Sequence, residues 1–464
     1  STAGTYAVTI DPAYGAHGTA RLTLKQGPLL ATSDPPSAFA TSVTGETQRF
    51  RFQAAAGQNL SLGLTGLAYL GTSSGYATLT AYKPDGTWLN YAYCYPTSIE
   101  GRCKMMLANV PVAGTYSIGI QPPAGVRLVG NISLSADQTG TLTENAPVTL
   151  SVTRPGQNVR YTFAGTAGQS TAIELAQLSP SPAGPYVYLW VLKPDGTSLT
   201  SASATGNGLL VNLASLPVTG NYAALIDANF GIGFSGRLML DPGVAAAIDG
   251  ATQPLATAVA GETIRLAFPG TSGTRLEIGL DGLAYGSPSS AATSLSLYRP
   301  DGAYVAGASC YTATAGGGCK VNMPATLPST GTYSITVAPP AGNLIAGATL
   351  ALSTPASGTL VVGDPSLAVS IARPGQSARY TFNGGAGQLL RLNWTGATVS
   401  IPGTSVVAIS ILKPDGGTLT TSYFGNGATG GVDIPSLPAT GTYTVVFSPS
   451  NAATMTAPAT LVTR

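Results

Sequence analysis

The sequence predicts an all-β chain: a tandem array of four jelly-roll or Ig-like β-sandwich modules of about 110 residues, preceded by the last two strands of a further module. Three observations carry this expectation. A Gly-Thr-Tyr run opens a strand at Gly114-Thr115-Tyr116 and recurs at Tyr6, Tyr222, Tyr333 and Tyr443. That spacing exceeds any solenoid repeat and matches a whole sandwich domain. Glycine (59) and proline (34) punctuate runs of Val, Ile, Leu, Tyr and Thr among 464 residues, with no sustained helical periodicity. Finally, a basic-Pro-Asp-Gly turn lies between apolar strands once per period.

Taken in order, residues 1–27 hold two strand-like runs, Tyr6 to Ile10 and Thr19 to Leu24. They align with the last two strands of each later module. The first Tyr stands where no module has yet been built, so the chain is expected to be cut from, or completed by, something longer. Two strands alone are marginal in water; residues 1–27 are therefore expected to pair with upstream chain or another subunit. The complete modules are expected at 28–136, 137–242, 243–353 and 354–464.

The first landmark that aligns the modules is a Gly-x-x-x-Arg-x-x-Phe strand, at Gly45, Arg49 and Phe52; Gly156, Arg160 and Phe163; Gly261, Arg265 and Phe268; and Gly375, Arg379 and Phe382. The Pro-Asp-Gly turns place Asp85 and Gly86, Asp195 and Gly196, Asp301 and Gly302, and Asp415 and Gly416 in corresponding positions. Proline pre-sets φ, aspartate caps its own backbone and glycine accepts a positive φ, so these residues are read as structural.

The modules alternate in type. Cys94 with Cys103, and Cys310 with Cys319, share a separation of nine residues in the first and third modules. Repeated spacing between strand-like flanks predicts two local disulfides and an oxidising compartment. A metal site is the alternative, but it needs more ligands and no histidine lies near. The second and fourth modules carry Gly206-Asn207-Gly208 and Gly425-Asn426-Gly427 in that region. They alone contain Arg154-Pro155-Gly156-Gln157 and Arg373-Pro374-Gly375-Gln376, so the larger repeat is a pair of modules.

The Gly-Glu-Thr-x-Arg strand, the Ala-Gly-Gln turn, the Pro-Asp-Gly hairpin and the late Gly-Thr-Tyr strand together resemble the bacterial pre-peptidase C-terminal domain and its relatives. The resemblance spans every module. It implies a jelly-roll-like sandwich, a non-catalytic accessory role on secreted or cell-surface proteins of bacteria and, in some members, binding of calcium or an extracellular polymer. Acidic side chains are too few and scattered here for six to eight oxygen ligands, and the array lacks an attached peptidase.

Charged residues make up 9% of the chain, against a typical quarter, and the net charge is +2. No basic cluster suits phosphate, which argues against a nucleic-acid partner. Mean hydropathy is +0.23, yet no run approaches the length of a membrane span. The single histidine, His17, is read as a loop residue, and no catalytic constellation, cofactor site or metal site is found. Tyr91, Tyr93 and Tyr95 share one strand face, with Cys94 on the other and Trp88 nearby. They form a candidate platform for sugar rings or a contact with a neighbouring module or chain. The expected function is a non-catalytic structural repeat of a bacterial extracellular filament, sheath or stalk, self-associating through module contacts. The alternative is a carbohydrate- or polymer-binding accessory array of a secreted enzyme or adhesin.

Overall fold

A computed structural model describes residues 24–464 apart from 313–316, 324–325 and 401–405; before residue 24 it describes residues 5–11, 14, 17–19 and 22. Alternating apolar residues form 37 strands and no α-helix among the described residues. The first nine strands set the pattern. They are β1 (Leu29–Leu30), β2 (Ser37–Ala40), β3 (Gln48–Ala54), β4 (Leu60–Leu70), β5 (Ala77–Tyr82), β6 (Trp88–Cys94), β7 (Cys103–Leu107), β8 (Gly114–Gln121) and β9 (Arg127–Ala136). One sheet has the order β1-β3-β8-β5-β6 and the other β2-β9-β4-β7. Pairing is antiparallel except between β1 and β3. The same orders recur along the chain, five strands facing four, until the last unit, where a short strand Thr398–Val399 joins the second sheet.

The expectation of separate jelly-roll or Ig-like beads, preceded by two strands of a further module, is corrected. The chain crosses repeatedly between facing sheets, and the path is a continuous, solenoid-like β-winding of about 16 turns. Buried side chains gather in four successive clusters, but the outer sheet faces between clusters are covered by the next unit, and Ile99 reaches across to pack on the second cluster. No strand falls among the described residues before Leu29. Tyr6, Val8 and Ile10 are exposed there, while Ala20, Arg21 and Thr23 of the second expected strand lie outside the described residues. The sequence period marks where the winding repeats; it carries no information on whether successive repeats stand apart.

The Gly-Thr-Tyr recurrence has a packing cause. Tyr116, Tyr222, Tyr333 and Tyr443 are fully buried, each ring stacked on the Phe of the Gly-x-x-x-Arg-x-x-Phe strand at 5.1, 5.5, 5.7 and 5.3 Å. Each hydroxyl donates to a carbonyl four residues upstream, at Val112, Val218, Ser329 and Ala439. Gly114 stands at φ +144°, and an added Cβ would lie 2.8 Å from Pro84 of the Pro-Asp-Gly turn. The two sequence landmarks touch.

Candidate functional site

The turn residues sit where their chemistry places them. Asp85 Oδ1 accepts from the Thr87 amide (2.9 Å) and hydroxyl (2.6 Å), and Asp195 repeats this with Thr197. Asp301 and Asp415 accept from the amides of Ala303 and Gly417. Gly86, Gly196, Gly302 and Gly416 have φ between +82° and +87°. The threonine hydroxyl bonds, ahead of the backbone ones, hold the Asp85 and Asp195 carboxyls below their ordinary range. Cys94–Cys103 and Cys310–Cys319 are disulfides, with Cα atoms 5.3 and 5.4 Å apart. Each ties the edge of the five-stranded sheet to the edge of the four-stranded one.

Three joints connect the units, and they are of two kinds. In the first, Gly63 of β4 lies under the Arg154-Pro155-Gly156-Gln157 turn, so close that an added Cβ would stand 2.5 Å from Pro155 C and O. Ser133 and Ser135 donate to the Pro155 carbonyl, Arg154 to the Leu134 carbonyl and Gln157 to that of Ala136. Lys104 of β7 bridges Asn158 and Asp227. The third joint repeats this design with Gly279 under Pro374, Arg373 on the Gly250 and Leu352 carbonyls, and Lys320 on Ser448 Oγ (2.7 Å) and the Pro449 carbonyl (2.9 Å).

The middle joint is built differently. Arg265, 1% exposed, donates to Asn212 Oδ1 (3.0 Å), the Pro242 carbonyl (2.8 Å) and Ser170 Oγ (2.5 Å). Asn212 in turn donates to Ser334 Oγ (2.9 Å), and the buried Glu174 accepts from the Thr263 amide. Burial pushes the Glu174 carboxyl up to about 8 and raises that of Asp241, while it lowers the Arg265 guanidinium. A groove of about 530 Å³ runs beside this joint, lined largely by Thr, Ser and small residues.

The predicted tyrosine strip lies on β6, an edge strand, next to the first joint. Tyr91, Tyr93, Tyr95 and Trp88 are exposed, and Cys94 faces the core. The rings form a chain: Trp88–Tyr91 at 5.9 Å, Tyr91–Tyr93 at 5.1 Å, then Tyr76 at 4.2 Å from Tyr93 and 5.7 Å from Tyr95. The strip leads into a cleft of about 340 Å³ between the first and second units. Tyr93, Tyr95, Arg102 and Lys104 line one wall, and Tyr188, Asp227, Asn229 and Phe230 the other. Reasoning from sequence missed the second wall. Its signal was the alternation Tyr186, Tyr188, Trp190, whose rings follow one another at 6.2 and 6.5 Å. Trp88 and Tyr91 are not among the cleft's lining residues; they extend its aromatic surface. Phe230 holds φ +56°, a backbone state that a bulky residue rarely takes. Among the described residues no group of three or more His, Cys, Asp or Glu could hold a metal ion.

No family model matches the chain, and no curated protein does. Solved structures share only a weak likeness. Tripeptidyl peptidase 2 aligns at 9% identity and a TM-score of 0.17, over 88% of this chain and 32% of that one. The mycobacterial arabinofuranosyltransferase AftD (mutant R1389S, class 1) aligns at 9% identity and 0.15, over 88% and 40%. The BSP domain of a biofilm associated protein aligns at 10% identity and 0.16, over 97% and 99%. The chain thus spans well under half the length of the first two. At these scores the likenesses assign neither family nor activity. An all-β chain with two disulfides, and with no helix among the described residues long and apolar enough to cross a membrane, fits an extracellular β-rich protein.

Proposed function

We propose that this chain is a non-catalytic structural element of an extracellular assembly, a filament, sheath or stalk, in which its units pack on one another and on further copies. The observation that supports this reading is the construction of the joints. Each sets the outer face of a four-stranded sheet on the five-stranded sheet of the next unit, a heterologous contact. Such a contact, repeated between copies, builds a filament wherever its rotation does not close a ring. In the third unit this face is covered: Arg265 and Ser334 are 1% exposed. The corresponding residues of the first unit are Arg49, which is exposed, and Ser117, which is only half-buried. The low charge of the surface leaves little repulsion between copies.

Electron microscopy and sedimentation of the purified chain test the reading. Rods of constant width that lengthen with concentration are expected. Ser117→Arg, which puts a long charged side chain on the first unit's counterpart of this face, is expected to stop the lengthening while leaving the melting temperature unchanged. Flexible strings of monomers at every concentration, or lengthening that Ser117→Arg does not disturb, would sink it.

A further inference from the structure

The first and third joints are copies of one design, and the comparison between them isolates what the joint itself requires. Both keep the glycine under the Pro-Gly turn (Gly63, Gly279), the turn arginine (Arg154, Arg373) and the bridging lysine (Lys104, Lys320). Two of the aromatic residues have aromatic counterparts at the third joint, Tyr311 for Tyr95 and Tyr304 for Trp88; the others are found at the first joint only. Tyr91 and Tyr93 correspond to Gly307 and Ser309, Tyr76 to Ala292, Tyr188 to Ala408, Trp190 to Ser410, Phe230 to Asn451 and Asp227 to Ser448. A joint therefore closes without these rings.

We infer that the cleft at the first joint is a binding site for a neutral, extended polysaccharide. This goes beyond the structural role proposed above and does not depend on it.

Three features select that ligand. Sugar rings carry weakly positive C–H faces, which pack on the negative faces of aromatic rings; Tyr93, Tyr95, Tyr188 and Phe230 line the cleft, with Tyr76, Tyr91 and Trp88 continuing outward along the strand. The row is longer than one sugar ring needs, which suits a chain of them. The charges are paired inside the protein: Lys104 with Asp227, and Arg102 with Glu100 at 2.8 Å. A site with its charges compensated in this way does not call for an anion or a cation. Asp227, Asn229, Arg102 and Ser98 still offer the donors and acceptors that hydroxyl groups need.

Phe230 supplies an independent indication. Its three-residue turn, Asn229–Gly231, is held by the Gly156 amide on the Gly231 carbonyl (3.0 Å) and by the Asn229 amide on the Tyr186 carbonyl (2.9 Å). These bonds hold a strained backbone that places an apolar ring, 38% exposed, in the cleft wall. The equivalent turn of the fourth unit has Asn451 and Ala452 at φ +52° and +56°, so the strain belongs to the joint. The exposed phenyl ring does not.

The test is native affinity electrophoresis of the whole chain through gels containing soluble β-glucan, xylan, mannan or glycol chitin, followed by titration with hexasaccharides of whichever retards it, read by tyrosine fluorescence. Retardation by at least one polymer is expected. Tyr93→Ala combined with Tyr188→Ala should weaken the hexasaccharide affinity at least about tenfold, the effect of roughly one lost stacking contact. Tyr423→Ala, an exposed tyrosine outside the cleft, should leave it unchanged. Circular dichroism melts show whether the variants fold; Phe230→Ala serves if the double variant does not. Free migration through all four polymers, or equal affinity in the cleft variants and Tyr423→Ala, overturns the inference.

Discussion

Glu174 shows how far a single side chain can be read from its place in the sequence. In a strand reading Thr171 to Ser181 it stands on the outward face, where a glutamate is ordinarily solvated. The third unit covers it, and burial, the largest cause, lifts its carboxyl to about 8 against the stabilising Thr263 amide. The sign of the pH effect follows. Unfolded, the carboxyl ionises near pH 4.5; folded, it keeps its proton up to about pH 8. Between those values the native state binds more protons, so this residue's contribution to stability falls as pH rises and levels off above about 8. Thermal melts of wild type and Glu174→Gln at about pH 5 and about pH 8 check this. The wild type should lose more of its melting temperature over that interval, because Gln still accepts from the Thr263 amide and carries no charge to bury. Equal losses in the two proteins would mean that water reaches the carboxylate.

Among the elements, the hairpins and cysteine pairs were legible in the sequence because they are local. Proline, aspartate and glycine at consecutive positions decide a turn without help from the rest of the chain, and a separation of nine residues between cysteines suits a link between adjacent sheet edges. The joints were not legible. Arg154-Pro155-Gly156-Gln157 is plain as a motif of the even units, but its role depends on Gly63, some 90 residues away, having no side chain. The second wall of the aromatic cleft was missed for the same reason: Tyr188 and Phe230 meet Tyr93 only through the joint. The disulfides make an element-scale prediction. Odd units staple the link between β6 and β7, and the even ones replace it with Gly-Asn-Gly. Replacing Cys94 and Cys103 with serine should lower the stability of the first unit by about 2–3 kcal/mol, the chain-entropy value for so short a loop. A reductant should therefore lower the melting temperature of the wild type and leave that of a variant with all four cysteines replaced by serine unchanged. Equal melting temperatures for reduced and oxidised wild type would show that the links add nothing to stability.

At the scale of the whole molecule the question is whether neighbouring units move together, and Gly63 decides it. The Gly63–Pro155 contact is backbone against backbone, so neither side can turn a rotamer to make room. Gly63→Val adds three carbons where even a Cβ would stand 2.5 Å from the Pro155 carbonyl group. Overpacking of this kind costs about 1–3 kcal/mol, and it falls on the joint because the β4 core residues Leu62 and Leu64 stay buried on the opposite face. The units should remain folded while the joint opens. Small-angle scattering should then give a larger and more variable maximum dimension, and proteolysis should cut in the connection between the first two units. Gly119→Val is the matched control, because a Cβ there meets only Thr47 Cγ2, at 3.4 Å. Opening should also separate Tyr93 from Tyr188, so Gly63→Val should weaken polysaccharide retention without touching an aromatic ring. If Gly63→Val leaves scattering and proteolysis as unchanged as Gly119→Val does, the joint accommodates the side chain and the close Gly63–Pro155 approach is not what holds the neighbouring units together.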